Sequence, residues 1–303
     1  MKVHVGPTAH PELESAVVAA GAELSAAEDA NALVWFGGEP SRFADYDRPD
    51  LEWVQLPSAG VESWVSAGVL REDLTFTSAA GTFAQTVAEH ALGLMLAGAR
   101  QLPAMARATT WQRPERMRSL AGSTVGIIGA GGIGKALIEM LRPFQVRVLA
   151  VNRSGKPVLG AERTWRSEDA EGVNEVLAES DFVVVAAPAT SATSKLVDAA
   201  ALRAMKSDAW LINIARGSLV DTEALVEALD AGQIGGAALD VTDPEPLRDG
   251  HPLFSHPRAL ISPHTANPPS LQMPALARRV EENVRRQMAG QPLLGLVDVA
   301  AGY

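Results

Sequence analysis

There is no cysteine in this chain of 303 residues. That excludes disulfides, thiolate nucleophiles and zinc–cysteine centres, and it agrees with a cytoplasmic protein. Basic residues are in short supply as well. Lys and Arg number 26 against 36 Asp and Glu, a formal charge of −10. Such a balance argues against nucleic acid or an anionic membrane as a partner, and any anionic ligand must be met by local positive charge. Long apolar runs are missing too: the most apolar helical stretch, around Val87 to Ala99, is too short to span a bilayer and carries Glu89, His90 and Arg100. The opening residues, Met1 to Pro7, lack the apolar core and cleavage site of a signal peptide and read as a strand. No H-E-x-x-H, Asp-rich loop or G-x-S-x-G elbow occurs, so no metal ligands and no serine hydrolysis are expected. No internal repeat or low-complexity tract interrupts what is otherwise an ordinary globular composition, 47% apolar and 20% charged, long enough for about two domains.

What is present is organised around Ser123 to Ser154. Val125-Gly126-Ile127-Ile128 reads as a buried strand, and Gly129, Gly131 and Gly134 follow at once in G-x-G-x-x-G spacing. A helical pattern then puts Ile133, Leu137, Met140 and Leu141 on one face, and Val146 to Val151 makes a second strand. A glycine triplet alone is weak; between a strand and a helix, with a second strand behind, it marks a dinucleotide-binding unit. Gly129 permits the tight turn, Gly131 lets backbone approach a pyrophosphate, and Gly134 lets helix and strand pack closely. The helix N-terminus offers unpaired N–H groups and a partial positive charge to the phosphates.

The rest of the chain alternates strand and helix in the same way. Strands are expected at Val3–Gly6, Leu33–Phe36, Trp53–Leu56 and Leu74–Thr77, with a helix from about Glu12 to Gly21. Beyond the glycine turn, further strands are expected at Asp181 to Pro188, Trp210 to Ala215, Gly236 to Val241 and Ala259 to Ser262. Helices fall near Asp198–Met205 and Thr222–Ala231, the second stopped by Gly232. The expected fold is therefore α/β, two doubly wound parallel-sheet (Rossmann-like) domains with a cleft between them. A charged helix from about Met273 to Met288 is read as returning to the first domain. The domains are then 1–99 plus 269–303, discontinuous and substrate-binding or catalytic, and 100–268, dinucleotide-binding. The small-residue helix from Thr82 to Ala99 is placed at a domain or subunit junction.

In a doubly wound sheet, ligands bind outside the carboxyl ends of the strands, and four polar segments lie there. One is Asn152-Arg153-Ser154. Arg216 stands in a glycine-containing turn, where its planar fork suits bidentate capture of a carboxylate. His264 follows a strand, as a proton-transferring histidine would, whereas His4, His10, His90, His251 and His256 read as structural or solvent-facing. Glu245, in the proline-fenced loop Pro244-Glu245-Pro246, is a carboxylate that can orient an imidazole and favour its protonated form. Asp243 competes for that role, and spacing does not separate the two.

These segments carry a resemblance. The run Gly129 to Gly134, then Asn213-Ile214-Ala215-Arg216-Gly217-Ser218-Leu219-Val220-Asp221, Ala238-Leu239-Asp240-Val241 through Pro244-Glu245-Pro246-Leu247, and Ser262-Pro263-His264-Thr265-Ala266 resemble the D-isomer-specific 2-hydroxyacid dehydrogenase family over almost the whole chain. Trp111-Gln112 and the ending Val297-Asp298 … Gly302-Tyr303 are similar to its bacterial glyoxylate/hydroxypyruvate reductase branch. The resemblance implies that Arg216 grips a substrate carboxylate, that His264 is the general acid/base, and that Glu245, rather than Asp243, is its partner. Ser58-Ala59-Gly60-Val61 resembles the family's loop whose backbone N–H groups hold the same carboxylate, so Ala59 and Gly60 are expected at the substrate. The cofactor residues expected are Gly129, Gly131, Gly132, Ile133, Gly134, Asn152, Arg153, Ser154, Pro188, Ala215 and Asp240.

The second strand of an NAD site ends in a carboxylate that binds the adenosine ribose. Here Asn152 has no charge to repel a 2′-phosphate, Arg153 can pair with one and Ser154 can donate to it, so NADP(H) is expected ahead of NAD. The expected protein is a cytoplasmic, homodimeric NADPH-dependent reductase of small 2-oxo acids; the alternatives are a D-2-hydroxyacid dehydrogenase of bulkier acids and a non-enzymatic NAD(P)-sensing interaction protein, the latter disfavoured by the joint presence of Arg216, Glu245 and His264.

Overall fold

The alternation in the first eighty residues becomes a five-stranded sheet in a computed structural model that describes all residues but Gln112, Glu115, Arg116 and 301–303. Strands β1 (Lys2–Pro7), β2 (Glu23–Leu24), β3 (Ala32–Phe36), β4 (Trp53–Gln55) and β5 (Thr75–Thr77) lie parallel in the order β2-β1-β3-β4-β5. Helix α1 (Pro11–Ala19) begins with Pro11 in its first turn, where the missing N–H costs no intrahelical hydrogen bond, and carries Glu12 and Glu14 there, whose charge suits the helix dipole. Central β3 is buried along nearly its whole length, as a covered parallel strand requires. Trp35, Phe43, Trp64 and Phe76 pack together on this sheet, with Trp35 and Trp64 edge to face at 5.2 Å. Trp64 belongs to the short helix α2 (Glu62–Ser66).

The second half of the chain forms a seven-stranded sheet. Its elements are α3 (Ala84–Ala99), α4 (Leu102–Arg107), β6 (Thr124–Ile128), α5 (Gly132–Leu141), β7 (Arg147–Asn152), β8 (Arg163–Arg166), α6 (Ala170–Glu179), β9 (Phe182–Val185), α7 (Ala199–Ala204), β10 (Trp210–Asn213), α8 (Thr222–Asp230), β11 (Gly236–Leu239), α9 (Pro252–Ser255) and β12 (Ala259–Ile261). All pairings are parallel and the order is β12-β11-β10-β9-β6-β7-β8. The strand order reverses between β6 and β9, which is where a doubly wound sheet opens a crevice for a dinucleotide. Asp169, Asp198 and Asp221 cap α6, α7 and α8 by accepting from backbone N–H groups, and Gly232 ends α8 at φ +69°.

Several features depart from expectation. Strand β8 and helix α6 are additional, as are the short β2, α2, α4 and α9; β8 is an edge strand in which only Trp165 is buried, so its sequence lacks an apolar run. Helix α3, assigned from sequence to the first domain, belongs to the second of two compact units. Those units are Met1–Phe83 with the residues from Asn267 onward, and Ala84–Ala266. Small residues explain the placement: Ala88, Ala91 and Gly98 let α3 lie close to α5, β10 and β11, and a methyl group at Gly98 would stand 2.6 Å from the Trp210 ring. The last helix, α10 (Pro269–Met288), belongs to the first unit. It is anchored there by Asn283, fully buried, whose Nδ2 donates to Gln55 Oε1 (2.8 Å) and to the Leu294 carbonyl (3.0 Å), while its Oδ1 accepts from the Leu294 N–H. Thr77 and Trp53 complete that buried network on the sheet side.

Candidate active site

The glycine turn stands at the switch point, and its three glycines do different work. Gly129 has φ +102°, and a methyl group there would overlap the Ala186–Ala187 peptide beyond β9. Gly134 is buried against Ile127 and the Gly129 carbonyl, the close approach of α5 to β6. A methyl group at Gly131 would meet nothing within 4 Å. That open space, beside Gly132 and at the N-cap of α5, is what a dinucleotide pyrophosphate needs, so the residues fit the group. Gly131 and Gly132 are exposed and Ile133 is half-buried.

At the end of β7, Asn152 turns its side chain inward on its own loop. Its Oδ1 accepts from the Gly155 N–H (2.6 Å) and the Ser154 hydroxyl (3.2 Å), and its Nδ2 donates to the Lys156 carbonyl. Asn152 therefore shapes the turn that leaves Arg153 and Ser154 exposed at its apex. Pro188 is exposed just past β9, and Ala215 is buried just past β10.

Three neighbouring strands then deliver the charged groups. At the end of β10, buried Asn213 donates to the Arg216 carbonyl (2.9 Å) and accepts from the Ala215 N–H (3.1 Å), which pins the Arg216 turn. Arg216 is half-buried, and its Nη1 donates to the Ala215 carbonyl. Past β11, the Thr222 hydroxyl donates to the Asp243 carbonyl (2.7 Å) and the Thr242 N–H points to Glu245 Oε2 (3.4 Å). Past β12, His264 Nδ1 lies 2.6 Å from Glu245 Oε1. The geometry thus sets Glu245, not Asp243, on the imidazole. The carboxylate can only accept, so Nδ1 carries the proton and Nε2 is left as the ring's other reactive atom.

His264 sits in the left-handed region at φ +51°, a conformation costing a residue other than glycine about 1 kcal/mol or more. Asp240 holds it there. The Asp240 carbonyl accepts from the His264 N–H (2.8 Å), and its carboxylate accepts from the N–H groups of Thr265 (2.9 Å) and Ala266 (3.0 Å) and from the Ser262 hydroxyl (2.7 Å). His90 Nε2, from α3, lies 2.9 Å from Ser262 Oγ and 3.2 Å from Asp240 Oδ1. Burial would raise the Asp240 carboxyl, but the donors from His90, Ser262, Thr265 and Ala266 outweigh it and hold the group at about 2. Asp240, expected among the cofactor residues, therefore has its carboxylate buried and committed to the loop after β12. His90, expected to be structural or solvent-facing, reaches that same carboxylate; no local pattern in an apolar helix marks it.

Ala59 and Gly60 belong to the other unit, in the loop after β4, where Ser58 Oγ donates to the Gly60 carbonyl. A hollow of roughly 690 Å³ in the second unit lies at the amino ends of β10 and β11, lined by Arg118, Asp208, Trp210 and Arg258, and contains none of the expected catalytic, cofactor or substrate residues. Gln112, Gly302 and Tyr303, part of the resemblance, are outside the described residues. Among the described residues no helix is long and apolar enough to cross a membrane.

The sequence profile of the D-isomer specific 2-hydroxyacid dehydrogenase NAD binding domain matches residues 92–266. The chain belongs to the D-isomer-specific 2-hydroxyacid dehydrogenase family. A glyoxylate reductase of Thermofilum pendens is 34% identical over 72% of this chain and 66% of its own length. A family member from Xanthobacter autotrophicus, solved with NADPH and MES, superposes with a TM-score of 0.86 at 30% identity, over 100% of this chain and 99% of its own. An NADPH-dependent glyoxylate/hydroxypyruvate reductase of Sinorhizobium meliloti, solved with NADP and sulfate, gives 0.82 at 27% identity, over the same shares. As a member of the 2-hydroxyacid dehydrogenases, the protein is an NAD(P)-dependent oxidoreductase of small 2-oxo and 2-hydroxy acids.

Proposed function

We propose that the enzyme reduces small 2-oxo acids of the glyoxylate and hydroxypyruvate type to D-2-hydroxy acids, with NADPH preferred over NADH. The observation that carries this reading is the His264–Glu245 pair at 2.6 Å, on the loops that leave β12 and β11, with Arg216 on the loop that leaves β10, the next strand in the sheet. Glu245 holds the Nδ1 proton and so directs Nε2 towards the substrate. His264, protonated at Nε2, gives that proton to the carbonyl oxygen as the oxygen becomes an alkoxide, and takes it back in the oxidative direction. Arg216 pairs with the substrate carboxylate and adds positive charge beside the developing alkoxide. The nicotinamide, when bound, supplies the hydride that no side chain can.

Gly129, Gly131, Gly132, Ile133 and Gly134 would hold the pyrophosphate, Arg153 and Ser154 a 2′-phosphate at the apex of the turn that Asn152 shapes, and Pro188 and Ala215 would flank the nicotinamide end. The NADPH and NADP in the Xanthobacter and Sinorhizobium structures support this preference. Initial rates with glyoxylate, hydroxypyruvate, pyruvate, phenylpyruvate and 2-oxoisocaproate, each with NADPH and with NADH, test the reading. We expect the highest kcat/KM for the first two acids with NADPH; a preference for phenylpyruvate or 2-oxoisocaproate would replace it by a reductase of bulkier acids.

We also propose a cytoplasmic homodimer. The apolar face of α3, read from sequence as a domain or subunit junction, is buried within the chain. Support comes instead from Leu102, Trp111 and Met117, which are exposed to 48%, 96% and 45%. A mass of 31.9 kDa by light scattering would refute the dimer.

A further inference from the structure

Around Asp240 the donors can be counted. Its carboxyl, held at about 2, has no proton to give near neutral pH, and the one proton of Ser262 Oγ is spent on Asp240 Oδ1. The remaining contact, His90 Nε2 at 2.9 Å from Ser262 Oγ and 3.2 Å from Asp240 Oδ1, is a hydrogen bond only if the imidazole is the donor. His90 is thus the Nε2–H tautomer or the imidazolium, and its N–H is shared between an alcohol and a carboxylate. Both acceptors belong to the frame of the His264 loop: Ser262 precedes His264 by two residues, and Asp240 accepts the N–H groups of His264, Thr265 and Ala266.

We propose that His90 is a positioning residue for the reduction: by donating to Ser262 and Asp240 from helix α3, it locks the clamp that keeps the His264 imidazole aligned for proton transfer. This rests on the reading of His264 as the proton donor. His90 lies in the interior of a 16-residue helix packed on α5, β10 and β11, so its anchor is rigid, whereas the loop it steadies is short and half exposed. A loop held only by its backbone N–H hydrogen bonds to Asp240 would still close, but the Asp240 and Ser262 side chains would lose the donor that joins them to helix α3. Proton transfer responds steeply to such displacement: misplacement by about 1 Å can cost about 100-fold in rate. Substrate capture, which depends on Arg216, should respond little.

The test compares His90→Leu, His90→Gln, Ser262→Ala and His264→Gln in the intact enzyme, with kcat expressed per NADPH-binding site and KM measured for glyoxylate. Gln keeps an N–H donor near the position of Nε2, and Leu does not. For His90→Leu we expect kcat to fall about 10- to 100-fold with KM within about twofold of wild type, and for His90→Gln recovery of most of that loss. Ser262→Ala should lower kcat in the same sense, and it carries the test should His90→Leu fail to fold. Wild-type kcat per site in His90→Leu or in Ser262→Ala overturns the proposal, as does a His90→Gln enzyme as slow as His90→Leu. His264→Gln separates the two readings. If it retains turnover, the reading of the site itself falls; if it is slow while His90→Leu is normal, only the role of His90 falls.

Discussion

Gly217 packs its α-carbon directly against the Thr242 peptide, so that a methyl group on Gly217 would overlap the Thr242 carbonyl. This contact joins the turn bearing Arg216 to the loop bearing Glu245. Gly217→Ala should therefore push the two loops apart. We expect a loss of about 1–3 kcal/mol in stability, as for other overpacked sites, together with at least a tenfold drop in kcat/KM. Urea unfolding and initial rates on the same preparation check both, and an active, equally stable variant would show that the loops are not coupled there.

His264→Gln and Arg216→Ala should separate proton transfer from carboxylate capture. The first removes the general acid and should lower kcat by about 100- to 10,000-fold with a small change in KM. The second should raise KM and lower kcat together, because the guanidinium acts both on the bound acid and on the developing alkoxide. Steady-state kinetics under conditions where chemistry limits turnover distinguish these patterns.

Asn152→Asp combined with Arg153→Ala should move cofactor preference towards NADH. The new carboxylate repels a 2′-phosphate, and the lost guanidinium removes a charge-assisted hydrogen bond worth about 1.5–3 kcal/mol, so the NADPH/NADH ratio of kcat/KM should fall by at least about tenfold. The aspartate can still accept from the Gly155 N–H as Asn152 does, so the turn should survive. An unchanged ratio would remove this turn from cofactor selection.

Acid should expose the role of Asp240. Its folded-state pKa is about 2 against an ordinary 3.8, so on acidification the unfolded chain takes up the proton first. The stabilisation is complete above about pH 4 and disappears as the pH falls through about 2, and it amounts to about 2 kcal/mol. Asp240→Asn should be less stable than wild type at neutral pH by that order and should lose stability less steeply between about pH 4 and pH 2. Parallel stability curves for the two proteins would show that the carboxylate contributes nothing of this kind.

What could be read from the chain alone is what depends on neighbours in sequence. A run such as Val125–Ile128, a glycine triplet and an apolar helical face lie within thirty residues, and a strand, a tight turn and a helix follow from their local geometry. In a doubly wound sheet the carboxyl end of every strand faces the ligand side. Arg216, Glu245 and His264, each just past a strand, therefore share the carboxyl edge of one sheet on the sequence pattern alone. Spacing left Glu245 and Asp243 equal, because loop direction is not local; only the fold brings Glu245 to 2.6 Å from the ring. The same limit hid the links that tie distant segments together. His90 meets Ser262 across 172 residues, and Asn283 meets Gln55 across 228. Neither side chain carries a mark in its own helix, since a buried polar group acquires its meaning from the partner that satisfies it, and that partner is chosen by packing.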